Sequence, residues 1–443
     1  VTLDPVFFDE WQSRAAGEPR SQDRARALIK ALELDAASTP VLSVVGSKGK
    51  GTTATYASAV LAAAGLRVVT ITSPAFRSNR ERIRVNGAAI DHSTYAALAR
   101  HLDDARRALP DHTKESGYLA PSGLFTVAGA LHAQHIHADA LVIEAGMGGR
   151  SDEIFLFPPT IVAITEIFGE HLGILGDSII EIAEEKAGII APRTQAVITA
   201  PQTPAVFNAI KDTADQYGTA TLDMFTPWAS SPTGPTSGPS AFPPSPAHDA
   251  PAFPPDLLPR GFSRLNALLG HAAALRLLTH LHLPPPEPSR LDSTLRTVRL
   301  PGRLSLHALA PSPPVGTATT HLLIDSAINE AGALSARGHA LTQWPGIDHV
   351  LVCMPDHKDL DGVISALHGL SVTYVRLPYN RLRFTRPLPH NWQTIDAADL
   401  TVDHIASLGP HVLALGTVYF AGTLLDTINA PTEELFTPPR TTP

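Results

Sequence analysis

Apolar positions along this chain fall in short continuous runs rather than in alternation. The runs lie at 41–45, 67–71, 140–144, 160–165, 196–199, 321–325, 349–353 and 412–415. Runs of this length, bounded by turn-forming residues, predict strands buried on both faces, as in a parallel sheet. Stretches with helical spacing lie between them, among them 53–64, 178–190 and about 264–281. Gly65 stands where the first of these needs a residue free to turn left-handed, and Ser178 with Glu181 forms a capping-box pair at the start of the second. This succession of strands and helices predicts an α/β protein with doubly wound, mostly parallel sheets.

Two stretches interrupt the pattern. Residues 226–259 are crowded with Pro, Ser, Thr, Gly and Ala, which predicts a flexible surface insertion; 284–289, Pro-Pro-Pro-Glu-Pro-Ser, reads as a stiff connector. A chain of 443 residues is too long for one ordinary core, so two domains are expected, 1–298 and 299–443, with Pro301-Gly-Arg303 just past the boundary. No apolar stretch is long enough to span a bilayer, and the first residues lack a basic segment followed by an apolar one, so a soluble, cytoplasmic protein without a membrane partner is expected. Cys353 is the only cysteine, which excludes an intrachain disulfide and a thiolate zinc cluster. The formal net charge is −8 with no basic block, so no nucleic-acid partner is suggested.

The chemistry class follows from residues 44–53, Val-Val-Gly-Ser-Lys-Gly-Lys-Gly-Thr-Thr, at a strand-to-helix junction. Backbone N–H groups from Gly46 to Gly51 can wrap polyphosphate oxygens at the partly positive start of a helix. Lys50 would reach the outer phosphates, and Thr52 or Thr53 would stand beside Mg2+. Glu144 ends an apolar run and is followed by Ala-Gly-Met-Gly-Gly-Arg, which suits a carboxylate ligand for Mg2+ beyond the carboxyl end of a strand. Lys186 falls on the apolar side of the 178–190 helix. It is either a lysine paired with Glu184 or Glu185, or a neutral amine able to take up CO2 as a carbamate, with His171 as a nitrogen ligand to a second metal. Arg303 is a candidate to bridge phosphates, and the strand-ending Asp325 a candidate to meet a ribose hydroxyl or to fix Arg303.

Four motifs stand in order: Gly46-Ser-Lys-Gly-Lys-Gly-Thr; Thr72-Ser-Pro with Glu81-Arg-Ile-Arg-Val-Asn-Gly; Glu144 with Gly148-Gly-Arg; and Leu175-Gly-Asp with Glu185-Lys-Ala-Gly-Ile. Together they resemble the folylpolyglutamate synthase / dihydrofolate synthase branch of the Mur ligase superfamily, over about residues 40–430. The resemblance implies a Mur-ligase-type P-loop ATPase domain with a mostly parallel sheet and a smaller Rossmann-like C-terminal domain. It implies an ATP-dependent ligase that activates a carboxylate as an acyl phosphate and couples it to an amino acid, with glutamate the first expectation, on a monomeric chain. Gly49, Lys50, Gly51, Thr52, Asn266, Arg303 and Asp325 would then contact ATP, Ser73, Glu144 and His171 would hold Mg2+ at two sites, and Lys186 would be the carbamylated lysine. Lys50, His171 and Lys186 form the catalytic set.

The departures from the family pattern sort by location. Lys48 replaces an asparagine in the cradle, Ser73-Pro-Ala-Phe76 replaces Ser-Pro-His-Leu, and the Thr/Phe/Glu element is Ser122-Gly-Leu-Phe125 without its carboxylate. Leu-Asp-Ala-Thr-Asn becomes Ser151-Asp-Glu-Ile-Phe155, Asp-His becomes Glu170-His171, and the histidine associated with the incoming amino acid is Ile328. Nucleotide and metal positions are kept while acceptor and amino-acid positions change, so the expectation is a related ligase acting on a different carboxylate. A nucleotide-binding homologue without catalysis, acting through a partner, and a P-loop kinase are the competing readings.

Overall fold

The computed structural model describes residues 4–170, 172–219, 221–224, 253–310, 319–379 and 382–439. His171 and positions 226–252 of the expected insertion lie outside the described residues. The chain separates into two compact units, one made of 80–298 with the residues up to Pro74 and those from Leu435 onward, the other of Arg299–Glu434 with the short segment Ala75–Asn79.

Eight strands in the described residues build the first sheet: β1 Val41–Val45, β2 Val68–Ile71, β3 Ile83–Val85, β4 Ala88–Ala89, β5 Ala140–Glu144, β6 Ile161–Ile164, β7 Ala196–Thr199 and β8 Thr221–Met224. Their order is β4-β3-β2-β5-β1-β6-β7-β8, parallel from β2 to β8, with β3 and β4 as an antiparallel flap at one edge. The central strands are buried along their whole length because helices cover both faces. The second unit has β9 Ser305–Leu309, β10 Thr320–Asp325, β11 His349–Cys353, β12 Val372–Arg376, β13 Gln393–Asp396 and β14 His411–Gly416. Its order is β13-β12-β11-β14-β10-β9, parallel except for β9. All eight apolar runs form strands.

The strand order decides where chemistry can happen. β1 lies between β5 and β6, and β2 lies beyond β5, so the residues that leave the carboxyl ends of these four strands converge. Glu144 pairs with Val44, two residues before Gly46, in the parallel register. Helix Lys50–Ala63 leaves the β1 turn and is buried nearly all round. Helix Ser263–His280 packs on it so closely that a Cβ at Gly270 would overlap the Thr53 carbonyl, and the Thr53 hydroxyl donates to the Asn266 carbonyl at 3.1 Å. That approach carries Asn266 to the cradle. The end of the expected insertion is anchored rather than free: Phe253 is buried against Tyr56 and His271, which are also buried.

The helix termini follow local chemistry. Gly65, at φ +95°, ends the first helix as expected, two residues past Ala63. Ser178 accepts from the Glu181 N–H, and Glu181 in return accepts from the Asp177 N–H at 2.8 Å, so the box closes one residue early. No helix among the described residues is long and apolar enough to cross a membrane.

The close helix contact makes a direct prediction. Gly270→Ala forces its methyl onto backbone and is expected to cost about 1–3 kcal/mol in urea denaturation. Gly338→Ala, in helix Glu330–Gln343 with open space around it, is expected to be neutral or stabilising by up to about 1 kcal/mol.

Candidate active site

The turn after β1 is shaped by two glycines. Gly46 at φ +127° and Gly49 at φ +93° take conformations that other residues adopt only under strain, and Gly49 is the N-cap of the helix that follows. A Cβ on Gly46 would overlap Thr165 at the end of β6, and one on Gly49 would overlap the Asn266 carboxamide. The far wall is tied down by Ser47: its N–H donates to the Glu166 carbonyl, and its hydroxyl accepts from the Phe168 N–H at 3.1 Å. The result is a rigid backbone cradle with Asn266 directly against it.

Both lysines singled out in the sequence meet at this turn. Lys50 curls over the loop, its Nζ donating to the carbonyls of Gly46 at 3.0 Å and Ser47 at 3.2 Å. Lys186, buried on helix Ile179–Ala187, donates to the same Gly46 carbonyl at 2.9 Å and to Glu170 Oε1 at 3.0 Å. Its partner is therefore neither Glu184 nor Glu185, the pairings considered for a lysine on that helix. Burial lowers the Lys186 amine below the ordinary lysine range, the nearby Lys50 cation adds to this, and Glu170 opposes it. Glu185 serves the glycine turn instead, accepting from Gly149 N at 3.2 Å, Ser151 N at 2.8 Å and Ser151 Oγ at 2.6 Å.

Glu144 closes the other side. Its Oε2 accepts from the Ser73 N–H at 3.0 Å, and a Cβ on Gly51 would lie 3.3 Å from that oxygen. The Ser73 hydroxyl accepts from Arg82 Nη1 at 3.0 Å, and the Arg82 guanidinium lies 4.7 Å above the Phe125 ring. Of the two threonines at the helix start, Thr53 is committed to the Asn266 carbonyl, which leaves Thr52 for the cradle. Among the described residues no three His, Cys, Asp or Glu side chains form a metal-holding group. A buried carboxylate and a serine oxygen beside this backbone cradle nevertheless suit Mg2+, which takes one or two carboxylates and fills its octahedron with phosphate oxygens and water.

In the second unit Asp325 Oδ2 accepts from Leu304 N at 2.9 Å, and the Ser326 hydroxyl donates to the Gly302 carbonyl at 2.9 Å. Asp325 thus fixes the turn that carries Arg303. Gly49, Lys50, Gly51, Thr52, Ser73, Glu144, Lys186 and Asn266 belong to the first unit, while Arg303 and Asp325 belong to the second.

One cluster has no counterpart in the sequence reading. Arg20 binds Glu153 through Nη2, approaches Asp152 at 3.5 Å through Nη1, and donates to Ser122 Oγ at 3.2 Å. Glu153 occupies the space that a Cβ on Gly123 would need. The Ser122–Phe125 element therefore has a carboxylate after all, supplied from the turn after Glu144. Burial pushes the Glu153 carboxyl up to about 7, with Asp152 adding to the shift and Arg20 opposing it. Adjacent acids in Asp-Glu-Ile-Phe-Leu-Phe call for a cation, but nothing local says it comes from Arg20. Arg82 was visible as part of a motif, without a role.

No family model matches the chain. Over 175 residues it is 35% identical to the dihydrofolate synthase/folylpolyglutamate synthase of Bacillus subtilis, covering 39% of this chain and 40% of that protein. Over 178 residues it is 31% identical to the Escherichia coli protein of the same name, covering 40% of each. The chain thus spans about two-fifths of the length of these curated relatives in its matches. The folylpolyglutamate synthase of Mycobacterium tuberculosis complexed with ADP and AMPPCP superposes with a TM-score of 0.71 at 21% identity, covering 94% of this chain and 96% of that one. The chain has the folylpolyglutamate synthase fold. The Thermotoga maritima folylpolyglutamate synthase gives 0.70 at 18% identity, covering 97% of both chains. The resemblance read from the motifs is borne out, and with it the Mur-ligase-type α/β architecture of two mostly parallel sheets.

Glu153 gives this site a measurable pH signature. Unfolded, its carboxyl ionises near 4.5; folded, near 7. Between those values the folded chain holds a proton that the unfolded chain has lost, so this group's contribution to stability falls as pH rises from about 4.5 to about 7. Glu153→Gln is expected to flatten that part of the profile, read as urea midpoints at pH 5, 6 and 7.5.

Proposed function

We propose that this protein is an ATP-dependent acid–amino-acid ligase of the folylpolyglutamate synthase type, acting on a carboxylate other than the usual folate. The observation that carries the reading is the meeting of Lys50 and Lys186 on the Gly46 carbonyl, beside Glu144 and Asn266. A chain that only bound nucleotide would have no use for a second buried lysine at its phosphate cradle.

The reaction would run in two displacements. The N–H groups of Gly49–Thr52 would hold the ATP phosphates, and Lys50, released from the carbonyls of Gly46 and Ser47, would follow the γ-phosphoryl group as it passes to the acceptor carboxylate. Attack of the amino acid's neutral amine on the acyl phosphate then forms the amide and expels phosphate, its proton passing to solvent or base. Arg303 and Asp325 are assigned to ATP contacts, and glutamate is the first choice of amine. Ser73, Glu144 and His171 are assigned as Mg2+ ligands, and Mg2+ supplies charge neutralisation for the transferring group.

Lys186 is assigned as a carbamate. Its lowered proton affinity supports this, because the neutral amine attacks CO2 and releases one proton as the carbamate forms. Glu170, now bound to the ammonium, would have to give up that contact once the charge reverses.

Incubation with ATP, Mg2+, bicarbonate, glutamate and either dihydropteroate or a reduced folate, followed by mass spectrometry, tests the ligase reading. A glutamyl amide absent from Lys50→Ala places folate back among the acceptors. Nucleotide bound without a folate product, followed by amide formation in a screen of other carboxylates, is the expected result. ATP bound and no amide from any acid and amine pair contradicts the proposal. The carbamate has its own readout: 13C-labelled bicarbonate is expected to give a protein-bound carbonyl resonance that Lys186→Ala lacks.

A further inference from the structure

Arg20 lies on the wall of a cavity that also touches Ser151, on the turn that follows Glu144. Its side chain is 17% exposed, while Asp152 and Glu153 behind it are 0% and 1% exposed. The exposed part borders a cavity of about 410 Å3, with Gln22, Asp23, Glu115 and Ser151 also on its wall. Asp152 Oδ2 accepts from Met147 N at 2.9 Å and lies within 3.4 Å of where a Gly146 Cβ would be, in the turn directly after Glu144. Ser151 donates to Glu185, the neighbour of Lys186 in sequence. A ligand in this cavity would rest on the same turn that carries Glu144.

The donors and charges there narrow what can bind. Nη2 and Nε of Arg20 are directed at Glu153 and Ser122, but Nη1 has only the long 3.5 Å contact with Asp152. An apolar group laid over that edge would strand its N–H groups, whereas an oxygen would pair them. Two carboxylates already face the single guanidinium, Asp23 and Glu115 add negative charge at the wall, and Arg26 is paired with Asp23 at 2.8 Å. Once Glu153 is ionised, no surplus positive charge remains for a further carboxylate.

We propose that Arg20, backed by Glu153 and Asp152, selects the acceptor: it favours a carboxylic acid whose far end carries a neutral oxygen-bearing group such as an amide, over acids with an apolar or anionic far end. This rests on the ligase reading and names the substrate class for it.

Three benzoates that differ only at the para position separate these possibilities: para-acetamidobenzoate, para-isopropylbenzoate and terephthalate. Calorimetric titration of each into the full chain with AMPPCP and Mg2+ is expected to give the acetamide about tenfold tighter binding than either other acid. Arg20→Leu/Glu153→Leu, which removes the guanidinium and its main counter-charge together, is expected to lose that tenfold advantage and to favour the isopropyl compound, with AMPPCP affinity unchanged. Arg20→Lys keeps the charge but not the fork, and is expected to lose the acetamide preference in the same way if the double variant does not fold. An unchanged ranking in the variants, tightest binding of terephthalate, or AMPPCP binding with no benzoate bound would overturn the assignment of Arg20 alone. Failure to bind AMPPCP at all would overturn the ligase reading with it.

Discussion

The Gly46 carbonyl accepts from two lysines, Lys50 from the start of its own helix and Lys186 from 140 residues further along the chain. Two ammonium groups on one oxygen repel each other, and the arrangement persists because each has a second acceptor, the Ser47 carbonyl for Lys50 and Glu170 for Lys186. The carbonyl can face both only because Gly46 sits at φ +127° with its Cα against Thr165, a place where no side chain fits. Strand order, helix packing and lysine chemistry all pass through this residue. With burial, the second cation is what makes Lys186 a weaker base.

The rest of the site follows from parallel strands that end together. β2, β5, β1 and β6 deliver Ser73, Glu144, the cradle and Thr165 side by side, so a short turn after each strand is enough to build the constellation. The turn after β5 serves two ends. Glu144 faces the cradle and Ser73, while Asp152 and Glu153, a few residues on, hold Arg20. The proposed phosphoryl transfer and the proposed acceptor choice would thereby hang on one loop, braced from behind by Glu185. A family can keep the first and alter the second by changing residues at only one end of such a loop.

How far the sequence could be read depended on whether each feature was local. The eight apolar runs became strands because strands covered on both faces need no alternation to be recognised. β9 and β13 are half-exposed edge strands, Ser-Leu-His-Ala-Leu and Gln-Thr-Ile-Asp, and polar edges resemble loops. The cradle was legible because its glycines, lysine and threonines are consecutive. Lys186 was legible as a cation on an apolar face, but its partner was not, since Glu170 reaches it from a loop rather than along the helix. The loss of a carboxylate near Ser122 looked like a loss of polarity; Glu153 fills that place from a separate turn, and its pairing with Arg20 spans 133 residues. The departures at Ser122–Phe125 and Ser151–Phe155, which read as independent losses along the chain, meet in three dimensions around Arg20.

The central claim is that the Gly46 turn is a phosphate cradle whose lysines change partners when nucleotide arrives. A crystal structure with Mg2+ and a non-hydrolysable ATP analogue, grown in bicarbonate, measures this directly. The account predicts phosphates on the N–H groups of Gly49–Thr52, Lys50 Nζ moved from the Gly46 and Ser47 carbonyls to phosphate oxygen, and Mg2+ on Glu144 and the Ser73 hydroxyl. Nucleotide seated elsewhere, with Lys50 still bound to its own loop, would contradict it.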